Sequence, residues 1–465
     1  MRPMRAILML LLAACSAPAP KPTTPKAAPV GKHRDAIAAQ IQPLVDHGIV
    51  ASIVVGVFDG GKTEVYGFGK GPGGAVPNES TLFELGSITK IYTSLLLADS
   101  VQRREVALDT PASDLLPPGI TMPTKDGKAI TLGHLALHVS GLPRLPPTVE
   151  ARAQAADPYG KYDENALYQD LLHTQLEHAP GQQIQYSNFG AGLLGFVLGR
   201  KIGGGYGKAL QTRVLDPLGL HDTFVTVPAA AAARRAAGTN ADLAPVAPWT
   251  FDALAGAGAL VSTAHDQLAL LEAELEAAGG SKQTMRGAMR FTQEAELQNT
   301  GDDPGKSPTG DNEGLGWQID GTGRYWHNGG TGGYHSFIGF DPKTRRAVIV
   351  LAATAVSAPV DHLSDVLYKV LAGDKLPPPT FPTKDQLAPL VGNYDLAGHH
   401  LHIQLAGDRV YLEGEGTKVR LVPYSDNEFW IEDLQSGVAF QRDGDKITRM
   451  VFVVGANTMV AAKTD

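Results

Sequence analysis

The segment Glu84-Leu85-Gly86-Ser87-Ile88-Thr89-Lys90 leads into Ile88 to Val101, a run with apolar residues around most of a helical surface. A helix that is apolar on nearly every face is buried rather than amphipathic. It is expected to run through the middle of a domain, with Ser87 at its amino end. Positions three apart share a helical face, so Lys90 falls one turn along, beside Ser87. A serine hydroxyl is a weak nucleophile until a neighbour takes its proton. A partly desolvated lysine has a lowered pKa and can do this, or can polarise another base. The free N–H groups of a helix start can also meet a developing oxyanion. Ser-x-x-Lys alone is common by chance, and Ser87 alone supports no more than a helix cap.

Two later stretches add chemistry. In Tyr186-Ser187-Asn188, a tyrosine near cations can exist partly as phenolate and serve as a general base. The asparagine amide offers both donor and acceptor to a substrate amide or ester. A turn tyrosine and an Asn cap before Gly190–Leu198 is the plain alternative. In His327-Asn328-Gly329-Gly330-Thr331-Gly332-Gly333, glycines would let a strand approach substrate without side-chain obstruction. The Gly330 N–H is a candidate oxyanion donor, the alternative being a flexible glycine loop. The order and wide separation of the three stretches make joint chance agreement improbable.

Around them, a helix is expected from about Arg34 to Asp46. A hairpin follows, with strands at Ile49–Phe58 and Thr63–Phe68 turning at Asp59-Gly60-Gly61. Gly69-x-Gly71-x-x-Gly74 matches a dinucleotide fingerprint in letters only. Pro72 sits inside it and Pro77-Asn78-Glu79-Ser80 follows instead of an apolar helix, so it reads as a surface loop. Helices are expected at Glu164–Leu176, Gly190–Lys201 and Ala264–Ala278, the last capped by Ser262 or Thr263 and stopped by Gly279-Gly280. Thr300–Asn312 reads as an exposed loop. Tyr334–Phe340 and Ala347–Ala353 flank a turn at Asp341-Pro342-Lys343-Thr344, and a helix near Val360–Leu371 follows. Beyond the proline-rich 374–384 linker come short alternating runs at Leu401–Leu405, Arg409–Glu413, Val419–Val422, Glu428–Ile431, Val438–Gln441 and Ile447–Val454. They predict a small antiparallel sheet or barrel over 385–465.

The 465 residues favour two folded units. A net charge of −8, with no Lys/Arg run, leaves no basic field for nucleic acid. Cys15 is the one cysteine, which excludes an internal disulfide and argues against a cysteine-based zinc site. The alternating His399-His400-His402 is a poor metal candidate, and neither metal nor cofactor is called for. Arg2 and Arg5 precede a short apolar run, Ala6–Ala14, and then Leu12-Ala13-Ala14-Cys15 resembles the lipobox of bacterial lipoproteins. That implies a signal peptide over 1–14, acylation of Cys15 and a Pro/Ala-rich tether over 15–32. The protein would then be exported and anchored in the cell envelope on the periplasmic side, by chains worth ~0.8 kcal/mol per buried methylene. A plain secretory signal with an incidental cysteine is the alternative.

Taken together, Ser87-x-x-Lys90, Tyr186-x-Asn188 and His327-x-Gly329 resemble the signature of class C β-lactamase-type serine hydrolases. That group includes D-alanyl-D-alanine carboxypeptidases, D-aminopeptidases and related esterases. His138-Val139-Ser140-Gly141-Leu142-Pro143, Asp216-Pro217-Leu218-Gly219-Leu220 and Ala255 to Asp266 resemble its flanking segments. The resemblance implies an α/β domain over 33–373, an antiparallel sheet beside an all-helical part, with the site between them. It implies that Ser87 is acylated, that Lys90 and Tyr186 manage protons, and that Asn188, His327 and Gly329 bind substrate. Backbone N–H groups of Ser87 and Gly330 would form the oxyanion hole. Val139 stands where Thr is usual. His327 stands where true β-lactamases carry lysine, a permanent cation that holds a substrate carboxylate. That favours esters, or peptides and amides lacking that carboxylate demand. The expected activity is hydrolysis of a small-molecule ester or a D-amino-acid-containing peptide or amide. A true β-lactamase or D-Ala-D-Ala carboxypeptidase is the alternative within the class, and a catalytically inactive envelope binding protein the alternative outside it.

Overall fold

The computed structural model describes residues 31–280, 284–294, 312–425, 427–434, 436–444, 446–454 and 457–465. Cys15, the expected signal and nearly all of the expected tether and 300–312 loop lie outside these residues.

The expected hairpin forms from β1 (Ser52–Asp59) and β2 (Lys62–Gly69). Gly60 and Gly61 join them at φ 59° and 78°, the paired positive values that a two-residue type I′ turn requires. Two short strands, β3 (Leu82–Glu84) and β4 (Val261–Thr263), pair with each other elsewhere. The chain returns to the main sheet with β5 (Asn312–Glu313), β6 (Gln318–Ile319), β7 (Tyr325–Gly330), β8 (His335–Asp341) and β9 (Arg346–Ala352). The sheet is antiparallel, in the order β2-β1-β9-β8-β7-β6-β5. Its central strands read as nearly continuous apolar runs because both faces are covered. On one face Val55, Val348 and Val350 pack with Ile37 and Ile41 of the Arg34–Asp46 helix and Leu367 of the Ala358–Ala372 helix. On the other, Ile349 and Leu351 join the core that contains Leu268 and Leu271 of the Ala264–Ala278 helix and Ile91 and Leu95.

The central helix runs Thr89–Gln102, and every residue from Thr89 to Ser100 is buried. Thr263, rather than Ser262, caps the Ala264–Ala278 helix by accepting the Asp266 N–H. The Glu164–His173 helix is one turn shorter than expected, because Thr174 leaves the helical conformation at ψ 132°. The glycines at 69, 71 and 74 lie around a short exposed turn, Pro72–Gly74.

The carboxyl-terminal strands close into a barrel. They are β10 (Gly392–Leu396), β11 (His399–Ala406), β12 (Arg409–Gly414), β13 (Thr417–Pro423), β14 (Glu428–Ile431), β15 (Ser436–Asp443), β16 (Lys446–Val454) and β17 (Asn457–Lys463), with β17 pairing back onto β10. Leu412, Leu421, Phe429, Phe440, Met450 and Phe452 fill the interior, so the barrel is packed rather than hollow. The barrel docks on the main body. Arg420 reaches the carbonyls of Gly48 and Ala241, Tyr411 donates to Asp242 at 2.7 Å, and Glu432 accepts from Ser357. Among the described residues no helix is long and apolar enough to cross a membrane.

Candidate active site

The helix start does not use Ser87 as a cap. Ile88 holds the N-cap position and makes no side-chain cap bond, while Ser87 sits in the 3-10 turn just before it. Lys90, one turn on, places Nζ 3.0 Å from Ser87 Oγ. The same nitrogen lies 2.8 Å from Asn188 Oδ1 and 2.7 Å from the Ala257 carbonyl oxygen. Burial holds the Lys90 pKa well below the ordinary lysine value, and the nearby Arg144 guanidinium lowers it further. A neutral amine has two N–H donors and one lone pair. The two oxygens at Asn188 and Ala257 can only accept, so they take both donors. In its neutral form Lys90 would leave the lone pair for the Ser87 hydroxyl and accept its proton.

Asn188 is free to take part because its neighbour does the capping. Ser187 Oγ accepts the Gly190 N–H at 2.9 Å and donates to the Pro143 carbonyl at 2.7 Å. Asn188 Nδ2 then donates to the Tyr159 hydroxyl at 2.8 Å, which fixes the amide with its oxygen toward Lys90.

Tyr186 lies with its ring centroid 4.8 Å from Lys90 Nζ and 5.2 Å from the Arg144 guanidinium carbon. The expected phenolate is not its resting form. Burial raises the Tyr186 pKa above the ordinary phenol value, and the Ser87 hydrogen bond and Arg144 offset this only in part. Desolvation outweighs the cations here, so Tyr186 is a neutral phenol poised to donate.

Across the site, β6 pairs with Tyr325 and Trp326 only. The outer edge of β7 from His327 to Gly330 therefore meets the Ser87 turn instead of another strand. The approach leaves no room for side chains. A Cβ on Gly329 would sit 2.0 Å from the Leu85 carbonyl oxygen and 2.8 Å from the Ser87 nitrogen. One on Gly86, itself at φ 52°, would sit 2.7 Å from the Gly330 nitrogen. The N–H groups of Ser87 and Gly330 thus come to one place. His327 is 4% exposed, and its ring centroid is 6.5 Å from that of Tyr186. Burial holds its pKa down to about 4, so it is neutral at pH 7. Its Nδ1 hydrogen-bonds the Asn328 carbonyl, leaving Nε2 as an acceptor.

Three further features line the site without having been given a role by the sequence. His138 takes φ 57°, accepts the Ser187 N–H on Nδ1 at 3.1 Å and packs its ring 4.4 Å from that of Tyr186. It holds the Tyr186 turn in place. Tyr159, Phe251 and Trp249 form an aromatic flank, with centroids 4.7 Å and 5.5 Å from Tyr159. Tyr159 comes from one loop and Trp249 and Phe251 from another, with no periodic pattern. Arg144 is exposed beside Tyr186. The histidines at 399 and 402 are engaged in the barrel, with Glu415 at 2.5 Å and Asn393 at 3.0 Å.

An antiparallel sheet and a helical part that together set a serine against a buried lysine define a serine hydrolase. The model of the family described as Beta-lactamase matches residues 37–372, and the chain belongs to that family. It is 29% identical over 275 residues to a protein named beta-lactamase from Escherichia coli K12, covering 58% of this chain and 68% of the relative. It is 33% identical over 172 residues to the D-alanyl-D-alanine-carboxypeptidase/endopeptidase AmpH of the same organism, covering 37% of this chain and 44% of the relative. A beta-lactamase of Pseudomonas fluorescens is 30% identical, with 42% of this chain and 51% of the relative covered.

Proposed function

We propose that the chain hydrolyses D-amino-acid peptides or simple esters in the cell envelope through an acyl-enzyme on Ser87. The observation that carries this is the buried Lys90 Nζ, 3.0 Å from Ser87 Oγ and tied to Asn188 Oδ1 and the Ala257 carbonyl oxygen. Ser87 Oγ attacks the carbonyl carbon as its proton passes to Lys90. The N–H groups of Ser87 and Gly330 receive the oxyanion, where one such donor is worth ~10²–10³ in rate. The bond to the leaving nitrogen or oxygen breaks as the Tyr186 hydroxyl protonates that atom, and Lys90 restores the tyrosine proton. Water then adds to the acyl carbon, the bond to Oγ breaks, and Ser87 regains its proton. Asn188 and His327 face the substrate. A neutral His327 gives a substrate carboxylate no cation on the strand side, which favours this reading over efficient penicillin hydrolysis. The names of two of the relatives keep β-lactam hydrolysis as the second reading.

A fluorophosphonate probe is expected to label the protein at Ser87, and Ser87→Ala to remove both labelling and turnover of D-Ala peptides and p-nitrophenyl esters. Undiminished labelling of that variant would overturn the assignment. Rapid nitrocefin turnover would favour the second reading.

Anchoring at Cys15 belongs to the same proposal, on the strength of the lipobox-like Leu12-Ala13-Ala14-Cys15. Radiolabelled palmitate is expected to enter the wild type and not Cys15→Ser. Equal labelling of both would refute it.

A further inference from the structure

We propose that Arg144 is the specificity-determining residue that receives a carboxylate on the leaving group of the substrate. This rests on the acyl-enzyme reading above and adds the charge and the position of the group recognised.

Four observations converge. The first is fixed placement. The Arg144 carbonyl accepts the N–H groups of Asn188 at 2.9 Å and Phe189 at 3.3 Å, and the preceding Pro143 carbonyl accepts from Ser187 Oγ. The backbone at Arg144 is thereby tied to the turn that carries Tyr186 and Asn188. The second is an available charge. Arg144 is exposed, and among the described residues no carboxylate forms an ion pair with it. Arg235, by contrast, is committed to Glu84. The guanidinium carbon lies 5.2 Å from the Tyr186 ring centroid, and a planar guanidinium can meet a carboxylate with two parallel N–H donors.

The third is what the rest of the site withholds. His327 and His138 are both held neutral by burial, and the Lys90 amine is spent on Asn188, Ala257 and Ser87. An anionic substrate needs its cation from elsewhere. The fourth is direction. Tyr186 hands its proton to the leaving group, so the leaving group lies against Tyr186. Arg144, 5.2 Å from the centroid of that ring, is the charged group placed to meet a substituent carried on the leaving group. A leaving D-amino acid carries its carboxylate one carbon from the departing nitrogen, within the span between a phenol hydroxyl and a guanidinium at its ring.

The test uses binding, so that it does not depend on turnover. Full-length Ser87→Ala protein is titrated calorimetrically with N-acetyl-D-alanyl-D-alanine and with its carboxyl-terminal amide, and the titrations are repeated with Arg144→Gln and Arg144→Lys added. The free acid is expected to bind about 10- to 100-fold more tightly than the amide, the range for hydrogen bonds to a charged group. Arg144→Gln should bring the ratio to about one by weakening the acid alone, and Arg144→Lys should recover part of it. An Arg144 that merely supports Tyr186 would weaken acid and amide alike, which overturns the proposal. So would an acid-to-amide ratio near one in the parent protein, a ratio that survives Arg144→Gln, or binding of neither peptide. Failure of the acyl-enzyme reading shows separately, as fluorophosphonate labelling away from Ser87.

Discussion

On the helical side of the site, the polar groups that reach Ser87 are themselves held by further contacts, whereas the strand side offers mostly bare backbone. Lys90 is bound to Asn188 and Ala257, Asn188 to Tyr159, and Tyr186 is packed by His138. Facing them, β7 brings Gly329 and Gly330, and a histidine whose Nδ1 is turned onto its own strand. The contrast separates two jobs. Moving a proton needs groups whose pKa values are set by burial and whose positions cannot drift. Receiving an oxyanion needs N–H groups at a fixed distance and nothing in front of them.

The contrast is sharpest at Lys90. Lys90→Ala is expected to lower kcat/KM for a p-nitrophenyl ester by ~10²–10⁴, the usual worth of a positioned base. The pH profile carries the same information with a definite sign. Lys90 works as the neutral amine, so activity falls as pH drops through its lowered pKa, about tenfold per unit. Tyr186, raised by burial, works as the neutral phenol and adds no alkaline loss below the ordinary phenol range. An acid limb that persists unchanged in the residual activity of Lys90→Ala would assign it to another group and undo the separation of jobs.

The strand side breaks differently. Gly329→Ala places a methyl group 2.0 Å from the Leu85 carbonyl oxygen, a contact with rigid backbone on both sides. The strand has to move away from Ser87, and the Gly330 N–H moves with it. A loss of ~10²–10³ in kcat is expected, as for one oxyanion donor, with the acid limb unchanged. A shift of that limb would show that the strand also sets the Lys90 environment.

These two sides were unequally legible in the sequence. The buried helix declared itself through an unbroken apolar surface, and Lys90 through helical spacing alone. The glycines of β7 were visible as letters. That they face the Ser87 turn depends on β6 stopping at its pairing with Trp326, a tertiary fact. The Tyr186 phenolate expected from nearby cations gives way to a neutral phenol, because the sequence does not show how completely the ring is buried. His138 appeared only as part of a familiar stretch, since its role depends on a positive φ and on a residue 49 positions on. In the barrel, six runs were legible by alternation. The closing strands β10 and β17 were not. Tyr394 and Ala461 are the inward anchors of those two strands, and neighbours such as Asn393, Asp395, Asn457 and Thr458 blur the pattern.

The smallest effect on activity is expected where the barrel reaches the back of β7. Glu432 Oε2 accepts from the Ser357 N–H at 2.7 Å, the Ser357 hydroxyl at 2.9 Å and Trp430 Nε1 at 2.8 Å. Ahead of it, His335 Nε2 meets Asp361 at 2.9 Å, and Asp361 holds Asn328 Nδ2 at 3.1 Å. Asn328 and Gly330 lie on the face of β7 that points away from His327 and Gly329. Burial pulls the His335 pKa down, but Asp361 and then Glu432 outweigh it, and the net shift is upward. A raised folded pKa stabilises fully below the unfolded value of about 6.5, and that contribution is lost as pH rises through the folded value. Glu432→Gln is therefore expected to lower stability by about 1–3 kcal/mol, more at pH 6 than at pH 9 in thermal melts. Turnover should change less than about threefold, because the hydrogen bonds lost lie behind the strand and the N–H groups in front keep their positions. A tenfold loss of kcat at unchanged Tm would mean that the barrel sets the strand's distance from Ser87, and the strand side would then be tuned from outside the site rather than by its own glycines.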